Sequence, residues 1–319
     1  MNNISFENKD KSEKYFYIIN YNPEFEEELC MMEMDILFNL RPQGKQFFLD
    51  RYINPSRSPF VKEVIKIRYE EECLETILSK IKEDNISYDN FKVCYVKNEI
   101  DYISYEERMQ SIRKIGFAIN GEADIHNPHI MLGLSKVNGK WIFGEYYRND
   151  FQWHIHDKKP YSYSNSLSLR VARALVNIAV GYNTDKKLID PCCGVGTVVI
   201  EALSMGIDVC GWEMNVSIAD NAKRNLEFFG YDNVIVTGDM TTITKKYDTA
   251  IIDLPYGLFT PTTIDEQTSI IKSARNITER LVLVTFEDMS DLIEEAGFKI
   301  IETAHVAKGK FKRYINICV

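Results

Sequence analysis

The sequence predicts two domains of different class: a smaller α+β domain first, then an α/β domain built on a mostly parallel sheet. Three observations carry that division. Short aromatic and β-branched runs alternate with single amphipathic helices up to residue 147, and Asn138-Gly139 separates two alternating segments as a hairpin turn does. From residue 166 strands and helices follow one another at the spacing of a parallel sheet flanked by helices. Within that second half, two apolar strands run into loops rich in glycine, proline and acid, 188–197 and 251–257.

Length and composition agree. A chain of 319 residues has room for two cores, and 45% hydrophobic with 27% charged residues is the balance of a soluble globular protein. No run nears the roughly 18 apolar residues that span a bilayer. The first ten residues lack the basic-then-apolar pattern of a secretion signal, and seven cysteines without paired spacing suit reduced thiols, so the expected location is the cytoplasm.

The elements can be justified in order. Residues 15–21 are aromatic and β-branched and read as a strand; 24–38 read as a helix with Leu29, Met32 and Ile36 in phase. Strands are expected at 46–52, 63–69 and 91–96, and helices at 72–82 and 105–117. The segments 130–136 and 140–147 form the hairpin. Residues 148–165, with Trp153, His154, His156 and Lys158-Lys159, read as a linker exposed to solvent or RNA; the two histidines have no partner set at metal-ligand spacing, so no metal is expected.

The domain 166–319 opens with a helix at 167–179, with Leu169, Ala172, Leu175 and Val176 along one face. Strand 187–190, helix 197–205, strand 208–213, helix 216–229 and strand 233–238 follow, then strand 248–253, helix 264–280 and strand 281–286. Helix 289–296 and strands 298–306 and 311–318 close the chain, the last two as an antiparallel hairpin at one edge of a seven-stranded sheet.

The first loop can hold a nucleoside cofactor. Gly194 and Gly196 permit a tight turn and close approach of a ligand, and the helix starting at Thr197 offers free N–H groups. Asp190, Glu213 and Asp239 follow three successive strands, the edge where open α/β sheets bind ligands. Glu213 suits the ribose hydroxyls and Asp239 an adenine amine. Val199 stands where a nicotinamide fingerprint has its third glycine, and the loop lacks a phosphate-binding cation; S-adenosyl-L-methionine is favoured over NAD. The cofactor set is Asp190, Pro191, Cys192, Gly194, Gly196, Thr197, Glu213, Met214, Asp239 and Met240.

The second loop, Asp253-Leu254-Pro255-Tyr256-Gly257, suits a planar amine. Such a nitrogen is a poor nucleophile, so catalysis means holding its N–H groups and aligning it with a methyl donor. Asp253 accepts one N–H and the Leu254 carbonyl the other; Pro255 stiffens the loop, Tyr256 stacks on the base, and Gly257 leaves it room. Cys192 and Cys193 lie in the cofactor turn rather than beside the target, so they read as packing residues and not as nucleophiles.

Together these motifs resemble the class I methyltransferases that modify guanine N2 in tRNA, within them those that carry an N-terminal THUMP domain. Lys159-Pro160-Tyr161 with 168–176 is similar to their entry helix, and 91–93 with 119–128 to a divergent THUMP core. That family usually has Pro-Pro where this chain has Leu254-Pro255. The resemblance implies a Rossmann-like methyltransferase domain and an RNA-holding domain at 1–147. It also implies S-adenosyl-L-methionine as cofactor and tRNA as partner, with methylation of a guanosine at position 10 ahead of position 6.

The net charge of −9 splits as 22 basic against 27 acidic residues up to 165, and 16 against 20 after it. RNA contact therefore needs local patches, for which Lys158-Lys159, Lys308, Lys310, Lys312 and Arg313 are candidates. Two alternatives remain open: a methyltransferase for adenine N6 or another planar amine, and a catalytically silent protein that binds S-adenosyl-L-methionine and RNA. With no coiled-coil heptads, a monomer is expected.

Overall fold

The computed structural model describes residues 13–163, 166–255, 262–308 and 311–319. They fall into two compact units. The first takes the chain up to Asn20, Pro42–Ser56 and Val61–Asp150; the second takes Tyr21–Arg41, Arg57–Phe60 and Phe151–Val319.

Along the chain the elements are β1 (Lys14–Ile19), α1 (Glu27–Phe38), β2 (Gln46–Leu49), β3 (Val61–Glu71), α2 (Leu74–Glu83), β4 (Phe91–Tyr95), α3 (Tyr105–Ala118), β5 (Ile130–Val137) and β6 (Lys140–Arg148). The second half continues with α4 (Leu169–Val180), β7 (Leu188–Asp190), α5 (Thr197–Ser204), β8 (Val209–Glu213), α6 (Val216–Phe228), β9 (Ile235–Thr237) and β10 (Thr249–Asp253). It ends with α7 (Ile264–Ile277), β11 (Leu281–Thr285), α8 (Ser290–Glu295), β12 (Ile300–Lys308) and β13 (Phe311–Cys318).

The first unit is a six-stranded sheet in the order β2-β1-β3-β6-β5-β4, antiparallel except for the β4–β5 pair. The expected hairpin closes at Asn138-Gly139, with Val137 opposite Lys140. Leu74, Ile77 and Ile81 of α2 join Ile115 and Ala118 of α3 in one apolar cluster with Phe91, Leu132, Trp141 and Phe143 of the sheet. Period-3.6 stripes on the helices thus meet period-2 faces on the strands, which is why both patterns were readable.

The second unit holds a seven-stranded sheet in the order β12-β13-β11-β10-β7-β8-β9. Strands β11, β10, β7, β8 and β9 run parallel, and β13 alone runs against its neighbours. The reversed strand is not the edge: β13 inserts between β11 and β12. Ile315, Ile317 and Cys318 of β13 are almost fully buried, whereas residues 300–303 of β12 alternate with solvent, so the more apolar strand takes the inner place.

Two further features depart from the expected division at 147/148. Helix α1 and residues 57–60 pack in the second unit. They cover the outer side of α4, so α4 is buried on every side but Arg170 instead of along one stripe. At its centre Glu33, fully buried, accepts from the Asn177 side-chain amide (2.7 Å) and the Ser58 hydroxyl (2.5 Å). Residues 152–158 are only in part an exposed linker: Gln152, His154, Ile155, Asp157 and Lys158 face solvent, while two side chains turn inward. They form a 3-10 helix whose Trp153 and His156 are 3% and 4% exposed, and His156 Nδ1 lies 2.6 Å from the buried Glu201 carboxylate. A carboxylate on the apolar helix α5 needs such partners, and Arg173 supplies the second at 2.8 Å.

Candidate active site

Because β10, β7, β8 and β9 are parallel neighbours, their carboxyl ends come out on one edge. Asp253 ends β10, Asp190 ends β7, Glu213 ends β8, and Asp239 follows β9 by two residues. All four acids line one cavity of about 830 Å³. Pro191, Cys192, Gly194, Thr197, Met214, Met240, Leu254 and Pro255 line it too, so the turn after β7 and the turn after β10 open on the same side. Tyr256 and Gly257 lie outside the described residues.

Gly194 and Gly196 do different things. Gly194 has φ +54 and nothing within 4 Å of where a Cβ would stand, which leaves its face clear for a ligand. Gly196, with φ +83, does not line the cavity. Its missing Cβ faces Leu226 and Ala222 of α6 at 3.4 and 3.6 Å, so this glycine serves helix packing and the start of α5.

The acids are held by the backbone. Glu213 accepts from Gly194 N–H (3.1 Å) on one oxygen and from Asn215 N–H (2.8 Å) on the other. Asn215 in turn caps α6 by accepting from the N–H groups of Ser217 and Ile218. Asp239 accepts from Thr241 N–H at 2.9 Å, which leaves its second oxygen for a ligand. Asp190 accepts from Cys192 N–H at 3.3 Å and is 4% exposed. Burial raises its carboxyl to about 8, and the neighbouring Asp253 and Glu213 charges add to the rise. Burial also lifts Asp253 to about 6, against a lowering pull from Arg313.

The thiol of Cys192 lies 3.6 Å from Met240 sulfur, and burial pushes both Cys192 and Cys193 far above the ordinary thiol range. Neither is a nucleophile at neutral pH.

Two buried polar atoms on this wall have no partner among the described residues: Asp253 Oδ1 and Thr197 Oγ1. Orphans of this kind cost folding energy and mark places where a ligand completes the bonding. An amine-bearing, cationic nucleoside fits this wall: carboxylates at the ends of β7, β8 and β10, one more just past β9, an open glycine face and a helix start.

Sequence reading missed the residues that brace these turns. Asn225 of α6, fully buried, donates to the carbonyls of Val195 (2.9 Å) and Tyr161 (2.9 Å) and accepts from Tyr161 N–H (3.0 Å). An amide on the core face of an amphipathic helix was the available signal. Tyr163, assigned to a linker, lines the cavity, as do Ser166 and Leu167 at the start of the second domain. Of the cations named for RNA, Lys158 is exposed and Lys159 half-buried with its pKa lowered by desolvation, while Arg313 is 9% exposed and lies over the Phe286 ring, so burial removes Arg313 as a surface cation. Lys312 stays exposed beside Tyr314; Lys310 lies outside the described residues. Among the described residues no group of three or more His, Cys, Asp or Glu is arranged to hold a metal, and no helix is long and apolar enough to cross a membrane.

Parts of this chain are similar to known proteins. Residues 156–312 match the family described as an RMKL-like methyltransferase domain. A tRNA (guanine(10)-N2)-dimethyltransferase of Pyrococcus abyssi is 31% identical over 201 residues, 56% of this chain and 60% of that protein. One of the same name from Methanothermobacter thermautotrophicus is 25% identical over 52% of this chain and 50% of its own. A tRNA (guanine(6)-N2)-methyltransferase of Archaeoglobus fulgidus is 25% identical over 77% of this chain and 74% of its own. The chain thus spans 60% and 50% of the first two relatives.

Proposed function

We propose that this chain is a methyltransferase of that family, which moves a methyl group from S-adenosyl-L-methionine to the exocyclic N2 of a guanosine in tRNA. The observation that carries the reading is the buried, unpartnered Asp253 Oδ1 on the wall of the cavity that also presents Glu213 and Asp239. The relatives named for position 10 favour that nucleotide. Position 6 is the second reading, favoured by the Archaeoglobus fulgidus relative, which matches 77% of this chain.

Bound in the cavity, the cofactor supplies an electrophilic methyl on a sulfonium. Glu213 and Asp239 orient its ribose and adenine, and Asp190 offers a counter-charge. Asp253 accepts one N–H of the guanine amine and the Leu254 carbonyl the other, which fixes the nitrogen lone pair toward the methyl. The N–C bond would form as the sulfonium S–CH3 bond breaks and the neutral thioether leaves; the nitrogen would become positive, and an ionised Asp253 would stabilise that charge and take the proton. Leu167, Ile218 and Ile270 give the cavity apolar walls.

A base in a tRNA stem must be turned out of its stack to reach this wall. The six-stranded first unit is then the RNA-holding part, reading shape and 2′-hydroxyls, which suits a chain of net charge −9. The enzyme works as a monomer in the cytoplasm, where its seven free cysteines stay reduced. The test is incubation of the purified protein with labelled cofactor and unmodified tRNA, followed by mapping of the methyl group. Label on guanine N2 supports the proposal, and label on adenine N6 overturns it.

A further inference from the structure

Two bonds hold the backbone just past Asp253, and neither comes from a side chain in the cavity wall. The N–H of Leu254 donates to the carbonyl of Val284 over 3.0 Å, one residue beyond the Asp253–Val284 pair. The side-chain amide of Gln267, on α7, donates to the carbonyl of Pro255 over 2.7 Å. A proline at 254, as the resembled motif has, would carry no N–H for Val284. This chain therefore gains by hydrogen bonding what a second proline ring would supply by stiffness.

Gln267 is itself well anchored. Thr263 and Glu266 close a reciprocal cap at the start of α7: the Thr263 hydroxyl accepts from Glu266 N–H, and the Glu266 carboxylate accepts from Thr263 N–H. The N–H of Gln267 then makes the first helical bond, to Thr263 O at 3.0 Å. Leu254, 2% exposed, shares one apolar cluster with Ile271 and Ala274 of the same helix. Helix α7 so holds the loop twice, through an apolar seat and through an amide.

The consequence concerns which carbonyl is left to meet a substrate. A carbonyl bonded to Gln267 is a poorer acceptor for an incoming amine, and no donor among the described residues reaches the carbonyl of Leu254. We propose that Gln267 is a positioning residue for methyl transfer: by bonding the Pro255 carbonyl it fixes the 253–255 backbone and leaves the Leu254 carbonyl as the amine's second acceptor beside Asp253. This rests on the reading that an amine is methylated at this wall.

The experiment uses the full-length protein, S-adenosyl-L-methionine and unmodified tRNA. Gln267→Met keeps the length and loses the donor; Gln267→Lys returns a donor at the same place. The expected result is a fall in kcat on the order of tenfold for Gln267→Met, as a small misplacement of the acceptor requires. Cofactor Kd, KM for tRNA and the thermal midpoint stay near wild type, and Gln267→Lys recovers most of the rate. Wild-type kcat in Gln267→Met overturns the proposal. So does a loss that follows cofactor affinity and thermal midpoint, or one that Gln267→Lys does not relieve. A wild-type protein that methylates no tRNA overturns the functional reading itself, which separates the two failures.

Discussion

The main-chain N–H of Gly194 donates to Oε2 of Glu213 across 3.1 Å, so the glycine turn after β7 and the acid ending β8 form one hydrogen-bonded unit. The bond fixes the carboxylate without exhausting it, since each oxygen keeps a lone pair for a ribose hydroxyl. Loss of two charge-assisted bonds, at roughly 1.5–3 kcal/mol each, makes Glu213→Ala weaken cofactor binding by about a hundredfold or more. Titration calorimetry with the cofactor checks this, alongside circular dichroism to show that the fold persists. Unchanged affinity would remove Glu213 from the cofactor site.

The elevated Asp190 carboxyl predicts that cofactor binding is linked to release of a proton. Its folded value of about 8 lies above the usual carboxylate range, so at pH 7 the unliganded protein holds the proton. A cationic ligand favours the charged form and expels it. Affinity should therefore climb between pH 6 and 8, by up to about tenfold per unit. Calorimetry at pH 7 in two buffers of different ionisation heat should count close to one proton released; equal heats would contradict it.

Asp253, at about 6, gives the rate its own pH limb. The ionised form is the better acceptor and the one that offsets positive charge on nitrogen. Single-turnover rates should be flat above pH 7 and decline as pH falls through about 6. A rate independent of pH from 5 to 8 would be inconsistent with a catalytic carboxylate.

Glu33 tests the assignment of α1 to the second unit. Burial lifts its carboxyl to about 7, with the bonds from Ser58 and Asn177 opposing. The unfolded chain ionises near 4.5 while the folded one keeps its proton to about 7, so this group costs stability progressively across that window and fully above it. Glu33→Gln can keep both hydrogen bonds and has no charge to bury. It should raise the thermal midpoint at pH 8, by an amount worth on the order of 2 kcal/mol, with little or no gain at pH 4.5. Denaturation scans at the two pH values decide it. The same burial predicts that residues 151–319 expressed alone, without α1 over α4, give a poorly folded fragment.

The site was more legible in the sequence than the domain division. Strand-then-acid patterns at Asp190, Glu213, Asp239 and Asp253 needed only the rule that parallel strands end on one edge, and the structure gathers all four around one cavity. Gly196 shared its motif with Gly194, yet only the neighbour across the gap, α6, decides which glycine faces the cavity. Helix α1 could not be placed because local periodicity states that a face is apolar without naming what covers it. The burial of His156 within 152–158 was hidden because its partner Glu201 stands 45 residues away, on α5. Gln267 was invisible for the same reason: its bond to Pro255 spans 12 residues and rests on a loop geometry that no propensity encodes.

The measurement closest to the central claim is transfer of labelled methyl to unmodified tRNA by wild type and by Asp253→Ala, with nucleoside mass analysis of the product. Wild type should form N2-methylguanosine. Asp253→Ala should be slower by roughly two to three orders of magnitude, as for loss of a preorganised electrostatic group, while its cofactor Kd stays within a few-fold. Wild-type turnover by Asp253→Ala, or N6-methyladenosine as the product, would contradict the account.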